Sequence, residues 1–208
     1  MKINTKKTVL MTFNRGRKYD FQPEVYLDNQ LFDVVESVKL LGIMVSSDMK
    51  WKKNTDFIIK RTYSKLWMLR RIQEVGGSIE DMLEVYCLQI RCICEIGCAV
   101  WNGGLTKSDS KRIEKVQKVA LKIILGSTYR AYDEALERLS LPTLATRRYD
   151  ICLKFARSIE KSDKFSSWFK APVRKTKTTP KYILPTARTR IYETSPLFYL
   201  TQLLNSDQ

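Results

Sequence analysis

Four lysines, Lys111, Lys115, Lys118 and Lys122, recur at intervals of four, three and four residues. On an α-helix, 100° per residue brings them within an arc of roughly 60°. Ile113, Val116, Ala120, Ile123 and Ile124 fall on the opposite side, so one face is built for burial and the other for charge. Aligned ammonium groups repel each other, a modest penalty that a row of phosphates would relieve. A plain solvated helix face is the alternative reading of such a row. Arg147 and Arg148 open the next long helix, where cations oppose the dipole. They either pair with Asp133, Glu134 or Glu137 or serve a ligand, and pairing is the expectation.

Metal and nucleophile chemistry finds less support. Five cysteines stand in a chain with no histidine, and Cys87, Cys92, Cys94 and Cys98 cluster while Cys152 stands apart. Structural zinc sites use closely spaced pairs on separate turns, whereas this segment reads as one continuous helix. Cys87, Cys94 and Cys98 then share a face as small buried hydrophobes. The odd count suggests a reducing compartment. Glu80, Asp81 and Glu84 sit in the first turns of that helix, where carboxylates favour the dipole, and they form no catalytic pair. No cofactor, metal or catalytic residue is expected.

The formal net charge of +15 points to a polyanionic partner, with nucleic acid ahead of an anionic membrane surface. No run of eighteen apolar residues exists, and the N-terminus lacks an apolar stretch with a cleavage site. An intracellular, non-secreted protein without a membrane span is expected, cytoplasmic or nuclear. A 44% hydrophobic share supplies a core of ordinary size.

These side chains need elements to position them. Residues 8–13 and 38–45 read as strands, the second interrupted at Gly42, and residues 25–27 and 31–32 flank a short hairpin connection. Together they suggest three or four antiparallel strands at the edge of a larger sheet. From Asn54 the period turns helical, with Ile59, Tyr63, Leu66 and Trp67 at helix spacing and Gly76-Gly77 as the stop. Ser78 and Asp81 suggest a capping box for a helix running to Trp101. Ser108 is the expected cap of the lysine helix and Gly126 its stop. A short helix over 132–139 precedes one over 144–161, with Cys152, Phe155 and Ile159 inward. From Lys164 to Arg190 there is no acidic residue, and Pro172, Pro180 and Pro185 hold the chain extended. Trp168, Phe169 and Tyr182 there either stack on bases or pin the arm to the helical body.

Several short stretches, following one another in order along almost the whole chain, carry a family likeness. Asn4-Thr5-Lys6-Lys7-Thr8 leads into the first strand, and Lys39-Leu40-Leu41-Gly42 follows. They resemble the Asn-x-x-Lys-Thr stretch and the primer-gripping Lys-x-Leu-Gly turn at the end of the palm in reverse transcriptases of non-LTR, LINE-type (Jockey-like) retrotransposons. Asp48-Met49-Lys50-Trp51 looks like that family's entry to the thumb, and residues 136–144 with Arg147 and Arg148 like the segment beyond it. Lys52-Lys53-Asn54 stand where the family commonly has a histidine. The family's Tyr-x-Asp-Asp metal site is absent from this sequence.

The resemblance implies an α+β fold: a small antiparallel palm remnant over 1–50, a helical thumb-like part over 51–126, post-thumb helices over 127–162 and a basic, partly extended arm over 163–208. It implies a fragment of an RNA-directed DNA polymerase that grips an RNA or DNA template–primer duplex but is inactive alone, with a separately encoded palm and fingers segment as a possible partner. Lys7 matches the motif lysine, and Lys39 and Gly42 would lie near the primer end. Lys111, Lys115, Lys118, Lys122, Arg147 and Arg148 would follow the duplex. The rival expectation is a non-enzymatic basic helical module for RNA or an acidic protein.

Overall fold

Leu41 and Gly42 both take positive φ, 48° and 88°, and reverse the chain in two residues. Such primed turns match the twist of paired strands. Glycine adopts the angle freely, whereas Leu41 holds it at a cost of about 1 kcal/mol. The turn joins β3 (Ser37–Leu40) to β4 (Ile43–Ser46) in register Leu40↔Ile43, Lys39↔Met44. The single interrupted strand expected over 38–45 is therefore a hairpin. A smaller hairpin precedes it, β1 (Tyr26–Leu27) with β2 (Gln30–Leu31), turned at Asn29 with φ 59°. These are two separate two-stranded sheets, not one sheet edge. The stretch at 8–13 contributes one parallel bridge, Leu10 to Val34, instead of a strand.

The structure, a computed structural model, describes residues 4, 8–13, 23–27, 29–173, 176 and 179–207. The chain is α+β, with the small antiparallel sheets first and helices after them. It divides into two units, residues 1–54 and 55–208. In the first, the Asn54 side-chain oxygen accepts from the Met44 N–H at 3.0 Å, tying the start of α1 (Lys52–Tyr63) to β4.

The second unit is helical. α1 gives way at Ser64-Lys65 to α2 (Leu66–Glu74), and the inward side chains are Ile58, Thr62, Leu66 and Leu69. Tyr63 and Trp67 point outward, so of the expected stripe Leu66 alone is fully buried. α3 (Ile79–Val85) begins with the anticipated capping box: the Asp81 N–H donates to Ser78 Oγ at 3.0 Å and the Ser78 N–H returns to Asp81 Oδ2 at 3.1 Å. The helix then widens into a π segment, Tyr86–Arg91, before α4 (Cys92–Glu95) and α5 (Cys98–Trp101), which are parted at Gly97. Wider turns change the phase of the faces. Cys94 and Cys98 are buried as expected, while Cys87 is only half-buried.

α6 (Lys107–Leu125) is the central helix and packs on α2, α3, α7 (Tyr132–Arg138) and α8 (Leu144–Glu160). Its cap is Thr106, whose Oγ1 accepts from the Asp109 N–H at 3.0 Å; Ser108 lies inside the first turn. α8 buries Leu144, Arg148, Cys152, Ala156 and Ile159, a row three or four residues apart, and leaves Phe155 exposed. After a loop, α9 (Arg190–Glu193) and α10 (Pro196–Ser206) return the chain to helix. α10 packs on α5 and α8 through Phe198, Leu200, Leu203 and Leu204. Composition had placed these residues within a basic arm.

Candidate nucleic-acid interface

Lys111, Lys115, Lys118 and Lys122 all stand exposed along α6. Ile113, Val116, Ala120, Leu121 and Ile124 are buried on the other side, which fixes the rotation of the helix and thereby aims the lysines at solvent. The row spans roughly 16 Å from first to last Cα. Lys118 Nζ lies 4.7 Å from the centre of the Tyr132 ring and Lys122 Nζ 5.4 Å from that of Tyr129. Such contacts orient a cation without cancelling its charge. Among the described residues, none of the four lysines forms an ion pair.

Arg112, on the flank of the same helix, shows the contrast. Its guanidinium bridges Asp56 at 2.5 Å and Asp109 at 3.0 Å, and these bonds raise its affinity for the proton. It joins α1 to α6 and is used up in the fold.

The two α8 arginines lie elsewhere. Arg147 pairs through Nε and Nη2 with Glu95 of α4, and that carboxylate also stands 3.8 Å from Arg91. Arg148 is 1% exposed. Its Nε donates to Asn102 Oδ1 and its Nη2 to Ser110 Oγ, each at 3.0 Å, while Nη1 has no partner among the described residues. The Trp101 ring centre is 5.9 Å away. Burial lowers the proton affinity of this guanidinium. The expected partners Asp133, Glu134 and Glu137 are thus replaced by Glu95 for Arg147 and by neutral acceptors for Arg148. A side chain enclosed in this way offers no surface to a phosphate.

Glu114 resolves how arginines can open α8. Reaching across from α6, its carboxylate accepts the Leu144 N–H at 3.0 Å and the Ala145 N–H at 3.2 Å, and it takes the Tyr132 hydroxyl as well. A carboxylate from another helix therefore serves the positive end of α8. Spacing within one helix carries no signal of that contact.

Lys39 is exposed on β3, and Gly42 sits in the β3–β4 turn, so those two share one hairpin. Lys7 lies outside the described residues. Among the described residues no three His, Cys, Asp or Glu side chains are placed to hold a metal ion. No helix among them is long and apolar enough to cross a membrane.

The arm after α8 is pinned by its aromatic residues. Phe169 is buried against Tyr182, with ring centres 5.4 Å apart, and the Tyr182 hydroxyl donates to Glu160 at 2.5 Å. The Tyr182 backbone exchanges two hydrogen bonds with the Asn205 side chain, at 2.8 and 2.9 Å. Trp168 instead remains half exposed beside Phe165.

No family model, curated protein or solved structure matches this chain.

Proposed function

We propose that this chain binds nucleic-acid duplexes through their phosphate backbone, as the template–primer-holding part of a reverse transcriptase of the non-LTR kind, and that it incorporates no nucleotide by itself. The row of exposed lysines on α6 carries the reading. Phosphate contacts of this sort fix a protein on a duplex without reading its sequence. The resemblance around Lys39 and Gly42 adds the primer end to the picture, and Lys7 would sit at the matching motif position. Arg148 has no part in it, because its guanidinium is enclosed.

The test is the salt dependence of duplex binding. Each neutralised phosphate contributes about 0.9 to the slope of log K against log salt. Changing Lys111, Lys115, Lys118 and Lys122 to Gln should flatten that slope by about 3 to 4. An unchanged slope discards the row. Primer extension with magnesium should yield no product.

A second reading, a non-enzymatic basic helical module, draws support from one observation. Residues 55–208 form a unit of their own, and the strands before them are two separate hairpins instead of one sheet edge. Lys39→Gln separates the two. It weakens binding to a recessed primer–template but not to a fully paired duplex under the polymerase reading, and changes neither under the other.

A further inference from the structure

The positive row does not stop where α6 ends. Gly126 takes φ 51° and ψ −127°, a combination open only to glycine, and swings the chain off the helix axis. Beyond it lies a half-open cavity of about 500 Å³. Its polar wall is Ser127, Thr128, Arg130, Glu134 and Arg138, over a floor that includes Leu125. All five polar residues are exposed.

The wall is partly organised. Arg138 Nη1 donates to Thr128 Oγ1 at 2.9 Å, and Thr128 in turn donates to the Leu125 carbonyl at 2.7 Å. That chain of bonds holds one edge of the Arg138 fork. Arg130 makes no ion pair, and Glu134 none with either arginine, among the described residues. Two guanidiniums and two hydroxyls therefore face one space with a single carboxylate among them.

We propose that this cavity holds the terminal phosphate of an RNA strand, with Arg130 and Arg138 on the phosphate and Glu134 accepting the 2′-hydroxyl of the same terminal nucleotide. The charge of the ligand argues for a strand end. An internal phosphodiester carries one negative charge, while a terminal monoester carries about 1.5 to 2 at neutral pH, with more acceptor oxygens for two forks. The carboxylate argues for an attached sugar, because Glu134 repels a bare anion yet is satisfied by a hydroxyl donor. Position argues for a strand, since Lys122 lies four residues before Gly126, on the helix whose last residue, Leu125, lines the cavity. The inference rests on the duplex-binding reading for how the ligand arrives.

Binding is measured with the full chain and four probes: a blunt RNA duplex bearing 5′-phosphates, the same duplex with 3′-phosphates, the same duplex with hydroxyl ends, and inorganic phosphate. One kind of terminal phosphate should raise duplex affinity about tenfold over hydroxyl ends, the scale of one charge-assisted bidentate contact. Inorganic phosphate should bind far more weakly. The double variant Arg130→Gln, Arg138→Gln should lose that advantage while still binding hydroxyl-ended duplex. The four-lysine Gln variant should bind every duplex less well yet keep the ratio. Circular dichroism confirms that both variants are folded. Equal affinity for all three duplexes overturns the cavity assignment and leaves the lysine row standing. An advantage that survives in the double variant also overturns it. A chain that ignores hydroxyl-ended duplexes but takes phosphorylated ones through the two arginines supports the cavity and removes the backbone-binding reading.

Discussion

The thiols of Cys98 and Cys152, 54 residues apart in the sequence, face each other at 3.8 Å between α5 and α8. Both are buried, as is Cys94. Donation to Cys98, together with burial, pushes the Cys152 thiol up, and burial pushes Cys94 up to about 12. Thiolates are the reactive species, and reagents must also reach them. At pH 8 in the folded protein, Cys87 and Cys92 should react with a disulfide reagent first. Cys94, Cys98 and Cys152 should react only as the protein unfolds. A thiol count over time, with peptides identified by mass, checks this, and fast modification of Cys152 would contradict the packing.

Arg148 should matter for stability and not for duplex binding. Arg148→Ala leaves Asn102 Oδ1 and Ser110 Oγ without their donor and opens space beside Trp101. A loss of about 3 kcal/mol in denaturant unfolding is expected from the cavity and the orphaned acceptors. The salt slope of binding, measured where the variant is folded, should match that of the parent. A flatter slope would return Arg148 to the interface.

Glu114→Gln removes the charge that serves the first two N–H groups of α8 and the Tyr132 hydroxyl. The amide oxygen still accepts, but a charge-assisted bond becomes a neutral one. The expected cost is about 1 to 2 kcal/mol, read from the denaturant midpoint. Because Glu114 borders the lysine row, the same change should slightly strengthen duplex binding at low salt.

The arm should loosen in acid. Burial pushes the Glu160 carboxyl up, but bonds from Lys181 at 2.6 Å and from Tyr182 outweigh it and hold the group below its ordinary 4.5. A depressed carboxylate contributes stability that is complete above its unfolded value and fades as pH falls through the folded one. Protection of the Ile183 N–H, which donates to the Lys170 carbonyl at 2.8 Å, should therefore hold at pH 6 and drop below pH 4.5. In Glu160→Gln that protection should be low at both. Equal protection of the parent at pH 6 and pH 3 would break the link.

Local chemistry made several of these elements legible in the sequence. The capping box at Ser78 and Asp81, the turn at Asn29, the stop at Gly126 and the two faces of α6 follow from residues within one turn of each other. Contacts across elements were not legible. Arg148 occupies the inward row of α8 at the spacing of Leu144 and Cys152, yet its charge suggested an acidic partner near α7 or a phosphate. Its acceptors, Asn102 and Ser110, lie some forty residues away, at separations of 46 and 38. α10 was hidden by the basic stretch before it, although Ser195-Pro196 and the spacing of Leu197, Leu200 and Leu204 mark a helix start and one apolar side. The π segment left no trace in residue types, so the burial of Cys87 was overstated.

The placement of α10 has a consequence for biosynthesis. Phe198, Leu200, Leu203 and Leu204 cover α5 and α8, and Arg157 clasps Asp207 at 2.6 Å, so the far edge of the core is supplied by residues translated after all the others it covers. A ribosome-bound chain ending before residue 196 displays the bare side of α8, a sticky apolar surface. Native packing of α5 and α8 must wait until α10 has left the exit tunnel.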